Sequence, residues 1–237
     1  MIPQAKQWLN ESRRIAVITG AGISAESGVP TFRGPEGLWR TFKPEELATP
    51  AAFARDPKLV WEWYDWRRAL ISNVEPNAGH IALAALEDRT PEFTLITQNV
   101  DGLHERAGSK RVLNLHGSIW RVRCTDCGAE CTDGRVPLPV LPPRCGCGEL
   151  VRPGVVWFGE PLPKKEWSAA GRAVTECDLL LVIGTSAQVY PAASLIPLAV
   201  QARARVIEIN LEDTPLSDLV GLSLRGKAGE ILPQLIS

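Results

Sequence analysis

The run Arg14-Ile15-Ala16-Val17-Ile18-Thr19 ends directly in Gly20-Ala21-Gly22, and this junction constrains the fold more than any other stretch of the chain. A short β-branched run closed by glycine reads as a buried strand that delivers a tight turn. With Ile23-Ser24-Ala25 the turn completes the G-x-G-x-x-G/A spacing, in which glycines let a backbone approach a pyrophosphate. Pattern alone leaves two readings level: a nucleotide site, or a structural turn that needs glycine for its tightness. A conventional dehydrogenase also wants an acidic residue roughly 20 positions on, at the end of a second strand. No such strand follows, which disfavours that class.

Further strand-like runs at Phe93 to Thr97, Val112 to Leu115, Asp178 to Gly184 and Arg205 to Ile209 alternate with helical patterns at Asn77 to Asp88, Lys164 to Glu176 and Pro191 to Ala202. This alternation predicts an α/β fold, a Rossmann-like parallel sheet with helices on both faces. Two segments break the rhythm: Pro44 to Val74 is helical and rich in Trp, and Arg121 to Arg152 carries most of the cysteines and many prolines. A length of 237 residues suits one large core with an appendage. The expected division is a Rossmann-like domain of residues 1–43, 75–120 and 153–237, with a helical insertion, 44–74, and a cysteine-bearing insertion, 121–152, forming a smaller module.

The net charge is -1 and the Lys and Arg residues are scattered, so the basic stripe needed for direct nucleic-acid binding is missing. Met1 to Arg14 contains Lys6, Glu11, Arg13 and Arg14 without an apolar run, and no later stretch has the length of a membrane span. A soluble, cytoplasmic monomer is the expectation. Five of the six cysteines fall between Cys124 and Cys147, a clustering that points to metal, with zinc the first choice. Cys124-x-x-Cys127 is a knuckle able to share one ion, and Cys145 with Cys147 would close a four-thiolate structural site; Cys131 lies near enough to substitute. Cys177, ahead of an apolar strand, reads as a buried thiol.

His116 follows a strand and precedes Gly117, which places it at the carboxyl edge of a parallel sheet, where ligands bind. A neutral imidazole there can act as a general base, although a lone His at a strand end is more often a hydrogen-bonded structural residue. His80, inside a helical pattern, reads as structural. Asn99 and Asp101 offer an amide and a carboxylate suited to ribose hydroxyls and a carboxamide, or to capping the next helix.

Gly20 to Gly34 (GAGISAESGVPTFRG), Thr97 to His104 (TQNVDGLH), Leu115-His116-Gly117-Ser118 and Gly184-Thr185-Ser186 together resemble, in the same order, the signature blocks of the sirtuin family. The resemblance runs over nearly the whole chain and implies an NAD-consuming enzyme that removes acyl groups from protein lysines. It implies that His116 is the catalytic base, acting on the ribose after nicotinamide has left, with Asn99 beside it. It implies cofactor contacts from Gly20, Ala21, Gly22 and Ala25 in the turn, and from Thr31, Phe32 and Arg33 on a loop over the nicotinamide ribose. Gln98, Asn99 and Asp101 would line the pocket and Gly184, Thr185 and Ser186 would sit against phosphates and ribose. Asn210, Leu211 and Glu212 would lie near the adenosine ribose and Ala228 against the adenine. One structural zinc on Cys124, Cys127, Cys145 and Cys147 is implied as well. The second cysteine pair is one residue apart where the family usually has two or more, so Cys131 stays open as a ligand.

Tyr64 and Arg67 stand three apart and share a helix face. The pattern by itself favours an amphipathic helix with a Trp-rich core side and solvated arginines. The resemblance, which extends to class III sirtuins, reverses that preference: there a Tyr and an Arg bind the free carboxylate of succinyl, malonyl or glutaryl groups, and a small residue, here Ala48, widens the pocket. Val156, Phe158, Gly159 and Glu160 resemble the segment that holds the substrate backbone as an added strand, opposite Val189 and Tyr190, which implies recognition of many acylated cytoplasmic proteins. Acetyl-lysine would fit the same wide pocket. An ADP-ribosyltransferase using the same cofactor is the alternative. A non-catalytic binding module would predict loss of His116 or Asn99, and the sequence retains both.

Overall fold

The computed structural model describes residues 1–32 and 37–236. The chain opens with α1 (Ile2–Glu11), β1 (Arg14–Thr19) and the short α2 (Ala21–Ala25), then α3 (Pro44–Leu47), α4 (Pro50–Arg55) and the long α5 (Pro57–Ser72). It returns through α6 (Ala78–Arg89), β2 (Glu92–Thr97), α7 (Leu103–Arg106) and β3 (Val112–Asn114), and makes an excursion through β4 (Gly117–Cys124), β5 (Glu130–Thr132) and β6 (Val151–Val155). The closing elements are α8 (Lys164–Glu176), β7 (Leu179–Ile183), α9 (Leu195–Gln201), β8 (Arg205–Asn210), β9 (Leu222–Arg225) and α10 (Ala228–Ile236).

Six strands form one sheet in the order β3-β2-β1-β7-β8-β9, with every pairing parallel. Strand β1 shows why the sheet is covered on both faces. Ile15 and Val17 join a core with Leu83, Leu86, Leu232 and Leu235, while Ala16 and Ile18 point into another with Val174, Leu195 and Ile196. The strand order reverses between β1 and β7, and the crevice beyond their carboxyl ends is where a sheet of this kind receives its ligand.

Strands β5-β4-β6 form a small antiparallel sheet. It packs on α3 to α5 around a third core that holds Phe53, Val60, Trp61, Trp63, Tyr64, Ile119, Val155 and Trp157. The buried Trp61 indole donates to the Val151 carbonyl at 2.7 Å and fastens α5 to β6. The sheet reaches beyond residues 121 and 152, because Gly117 pairs with Val155.

Asn77 is the cap of α6 and not its first residue: its side chain accepts from Gly79 N at 2.9 Å, while His80 Nδ1 accepts from Asn77 N. The pattern over Pro191 to Ala202 divides into a 3-10 turn, Ala192–Ser194, and α9. Among the described residues no helix is long and apolar enough to cross a membrane.

Candidate active site and metal centre

The Gly20-Ala21-Gly22 turn and the end of β7 are packed back to back. Gly20 N donates to Ile183 O at 3.0 Å and Gly22 N to Gly184 O at 2.8 Å. A Cβ on Gly22 would lie 2.7 Å from the Gly184 Cα, and one on Gly184, at φ +58, would lie 2.5 Å from Ile23 N. Glycine is thus required by the fold at these positions, and the same close approach leaves bare backbone facing the crevice.

Side chains from neighbouring strand ends line this cradle. Gln98, after β2, donates to the Thr185 hydroxyl at 2.9 Å, and Asn210, at the end of β8, donates to the Thr185 carbonyl at 2.9 Å. Ser186 is half-buried beside them, Leu211 and Glu212 are exposed at the β8 end, and Ala228 is buried at the start of α10. Thr31 and Phe32 lie half-buried ahead of the next loop; Arg33 falls outside the described residues.

Beneath the cradle is a buried polar network. Asn99 Nδ2 donates to Gly20 O at 3.0 Å and to Ser24 Oγ at 3.1 Å, and Ser24 Oγ donates to Asp101 Oδ2 at 2.8 Å. Asp101 Oδ1 accepts from Leu103 N, the first residue of α7, at 2.9 Å, so this carboxyl anchors the start of that helix while it supports the site. Burial pushes its pKa upward against these hydrogen bonds. His104 meets Thr19 Oγ1 at 2.9 Å and its ring lies 4.9 Å from that of His80. Burial holds both imidazoles neutral, with His80 pushed down to about 4. Ser24 is the member that spacing could not reveal, since it occupies a free position of the glycine motif.

His116 follows β3, and its Nδ1 lies 2.8 Å from the Gln98 carbonyl. A carbonyl only accepts, so Nδ1 carries the proton and Nε2 keeps its lone pair. Burial lowers the pKa, opposed by the Gln98 bond, and the ring is neutral near neutral pH. Gly117, at φ +74, packs its Cα against the Gly154 carbonyl, and Val156 N donates to His116 O at 2.9 Å. The histidine is therefore held from two sides.

On α5, Tyr64 and Arg67 are both buried. Their helix face points inward, contrary to the solvated arginines that the pattern alone favours, because the surrounding faces are aromatic. The Arg67 guanidinium carbon lies 4.6 Å from the Phe32 ring centre and 5.1 Å from that of Trp63; it makes no hydrogen bond or close ion pair among the described residues, and the buried Asp101 carboxyl acts on it only through its field. Burial depresses its pKa. Ala48, also buried, accepts from Phe158 N at 2.9 Å. Phe158 and Gly159 are exposed and Val156 half-buried, so this stretch is at the surface; Tyr190 is exposed as well. The Glu160 carboxylate instead turns inward, bound to Arg152 at 2.5 and 2.8 Å and accepting from Trp157 N at 2.8 Å.

The sulfurs of Cys124, Cys127, Cys145 and Cys147 all lie within 4.8 Å of one another, with Cys124 and Cys147 3.5 Å apart and Cys127 and Cys145 3.7 Å apart. Zinc–thiolate bonds of ~2.3 Å in a tetrahedron separate sulfurs by roughly 3.8 Å, so this donor set fits one structural zinc. Cys131 is exposed on β5 and lies outside the cluster. The one-residue spacing works because the chain turns sharply there: Gly148 adopts φ +97 and its N donates to Cys145 O at 2.9 Å.

The Sir2 family model matches residues 20–191. The chain belongs to the Sir2 family. An NAD-dependent protein deacylase of Aquifex aeolicus (strain VF5) is 57% identical over 219 residues, covering 92% of each chain. NAD-dependent protein deacylase 2 of Pyrobaculum aerophilum is 56% identical, with 96% of this chain and 92% of that one covered. Among solved structures, a Sir2 homologue in complex with NAD superimposes with a TM-score of 0.93 at 50% identity, over 99% of this chain and 92% of that one. A Sir2 homologue mutant in complex with ADP-ribose gives a TM-score of 0.97 at 49% identity, over 100% of this chain and 95% of that one. The glycine cradle and the amide-and-carboxylate network beneath it fit the dinucleotide that such relatives bind.

Proposed function

We propose that this Sir2-family enzyme is an NAD-dependent protein-lysine deacylase that removes succinyl, malonyl and glutaryl groups as well as acetyl, from acylated proteins of the cytoplasm. Acyl-lysine, NAD and water become free lysine, nicotinamide and O-acyl-ADP-ribose. When bound, NAD supplies a ribose carbon from which nicotinamide departs. The protein's part is to hold and deprotonate: Asn99, Gln98 and Asp101 stand at the cofactor pocket, and His116 receives a ribose proton at Nε2. Residues 1–43, 75–120 and 153–237 make up the cofactor-binding domain, and the helical insertion, 44–74, brings Tyr64 and Arg67 to the acyl pocket, where Trp157 meets Tyr64.

The acidic-acyl preference rests on Arg67, a buried cation that makes no hydrogen bond or close ion pair among the described residues and feels Asp101 only through its field, one helical turn from the Tyr64 hydroxyl. A guanidinium grips a carboxylate with two parallel hydrogen bonds and the phenol adds a third. A neutral acetyl group leaves that cation unanswered. The test is to incubate matched peptides bearing acetyl-lysine or succinyl-lysine with the protein, with and without NAD, and follow them by mass spectrometry. Succinyl removal that needs NAD and yields succinylated ADP-ribose is expected. Removal of acetyl alone would discard the acidic-acyl preference, and ADP-ribose transferred onto protein would replace deacylation by transfer.

A further inference from the structure

Trp157 lies ninety-three residues from Tyr64 in sequence, yet its indole Nε1 is 3.0 Å from the Tyr64 oxygen. Both side chains are 3% exposed, so water does not compete for this contact. The direction of the bond is forced, because an indole N–H donates and never accepts. Tyr64 therefore gives a lone pair to Trp157 and keeps its own proton free. A phenolic proton lies near the ring plane, on one side of the oxygen or the other, and the indole N–H occupies one of those sides. The proton is left pointing to the opposite side, and it meets no acceptor among the described residues.

Trp157 is itself held on several sides. The Arg152 guanidinium carbon sits 3.5 Å from its ring centre, the Phe53 ring lies at 5.3 Å, and its backbone N–H donates to Glu160 at 2.8 Å. Glu160 is paired in turn with Arg152 through both oxygens, at 2.5 and 2.8 Å. A ring clamped in this way holds its N–H in a fixed direction, whereas an unclamped one would lose the bond to rotation.

We propose that Trp157 is a positioning residue for acyl specificity: its indole N–H occupies the Tyr64 lone pair, so that the Tyr64 hydroxyl donates to an acyl carboxylate seated on Arg67. The inference rests on the acidic-acyl reading of the pocket and adds the residue that orients its neutral donor. Tyrosine alone is an ambivalent group, able to donate or to accept. The indole removes that ambivalence, which discriminates against acyl groups that end in a donor. Burial pushes the Tyr64 pKa up to about 12, so the proton is present throughout the working range of pH.

Trp157→Phe keeps an aromatic ring against Phe53 and Arg152 and deletes the donor together with part of the buried indole's volume, a packing loss that bears on both peptides alike. It should raise the KM for a succinyl-lysine peptide relative to an acetyl-lysine peptide by about three- to tenfold, the worth of one oriented hydrogen bond, with the ratio of kcat values little changed. Tyr64→Phe should act in the same direction, and the double variant should be no worse than Tyr64→Phe alone, since both remove one coupled interaction. Multiplying effects, or equal losses on both peptides, overturn the proposal. An NMR readout stands apart from substrate choice. The Trp157 indole N–H resonance, assigned by its loss in Trp157→Phe, should shift in Tyr64→Phe, and an unmoved resonance overturns the hydrogen bond itself. Arg67→Met separates the two levels of the argument. If it leaves the peptide preference unchanged while the indole resonance moves, the acidic-acyl reading falls and takes this role of Trp157 with it. If it abolishes the preference and Trp157→Phe does not alter it, only the present inference fails.

Discussion

Arg67→Met should make the ligand-free protein more stable while it removes the preference for acidic acyl groups. Arg67 is 5% exposed, and its compensation comes from two aromatic faces, Phe32 and Trp63, and from the field of the buried Asp101. Burying an ion costs several kcal/mol even after relaxation, and replacing buried charges by apolar side chains of similar volume gains ~1–4 kcal/mol in measured cases. The cation–π contacts return ~0.5–2 kcal/mol each. Methionine fills the same slot and adds sulfur–aromatic contacts of ~0.3–1.5 kcal/mol, so the central values leave a net gain of ~1 kcal/mol. For a chain of about this length each kcal/mol moves Tm by ~2–4 °C, which sets the expected rise at ~2–4 °C. The assay is thermal unfolding of zinc-loaded protein without NAD or peptide, followed by titration with a succinyl-lysine peptide. Saturating peptide at ~100 times Kd should add ~2.7 kcal/mol to the wild type and much less to the variant. A variant that melts lower than wild type would falsify the claim that Arg67 is held at a cost to the fold for the sake of binding.

The rate at limiting substrate should fall as pH drops through the His116 pKa, which burial sets below 6.5, because only the neutral ring offers Nε2 as a base; His116→Ala should lose turnover yet bind NAD, as calorimetry can measure. Stability should also decline as pH falls from 6.5 towards about 4. Buried His80 and His104 resist protons that the unfolded chain accepts, so the unfolded state binds more protons in that window; thermal melts at stepped pH read the slope. Metal analysis should find about one zinc per chain, and Cys147→Ser should lower both the metal content and Tm, whereas Cys131→Ser should change neither. Gly184→Ala combines a left-handed φ of +58 with overlap on Ile23 N, and should lose at least ~2–4 kcal/mol of stability together with NAD affinity.

Much of the chemistry was legible in the residues alone. Strand β1 and its glycine turn appear where the β-branched run predicts them, and α8 spans the predicted Lys164–Glu176, because hydrophobic period and glycine placement are local properties. The cysteine cluster could be named for the same reason, because the atoms that bind a metal belong to particular residue types; the role of His116 as base came with the sirtuin resemblance and stands as a proposal.

Strand β9 escaped notice since Leu222-Ser223-Leu224-Arg225 carries polar side chains unlike those of a buried strand. They face Glu208 on β8, which is 2% exposed and accepts from Ser223 at 2.7 Å and Arg225 at 3.0 Å. Burial favours the neutral acid, but hydrogen bonds from Ser217, Thr214, Ser223 and Arg225 outweigh it and lower the pKa.

Residue types and spacing thus determined the sheet class and the metal-binding cluster. Tertiary structure decided which side chains lose their water and which distant ones meet. Arg67 reads as a solvated helix residue until the aromatic walls around it are assembled, and Ser24 reads as filler until Asn99 and Asp101 close on it. The choice of Cys147 over Cys131 depends on a glycine turn, and the Trp157–Tyr64 bond joins elements far apart in sequence. Desolvation and contact between distant segments are properties of the packed chain, and no local spacing encodes them.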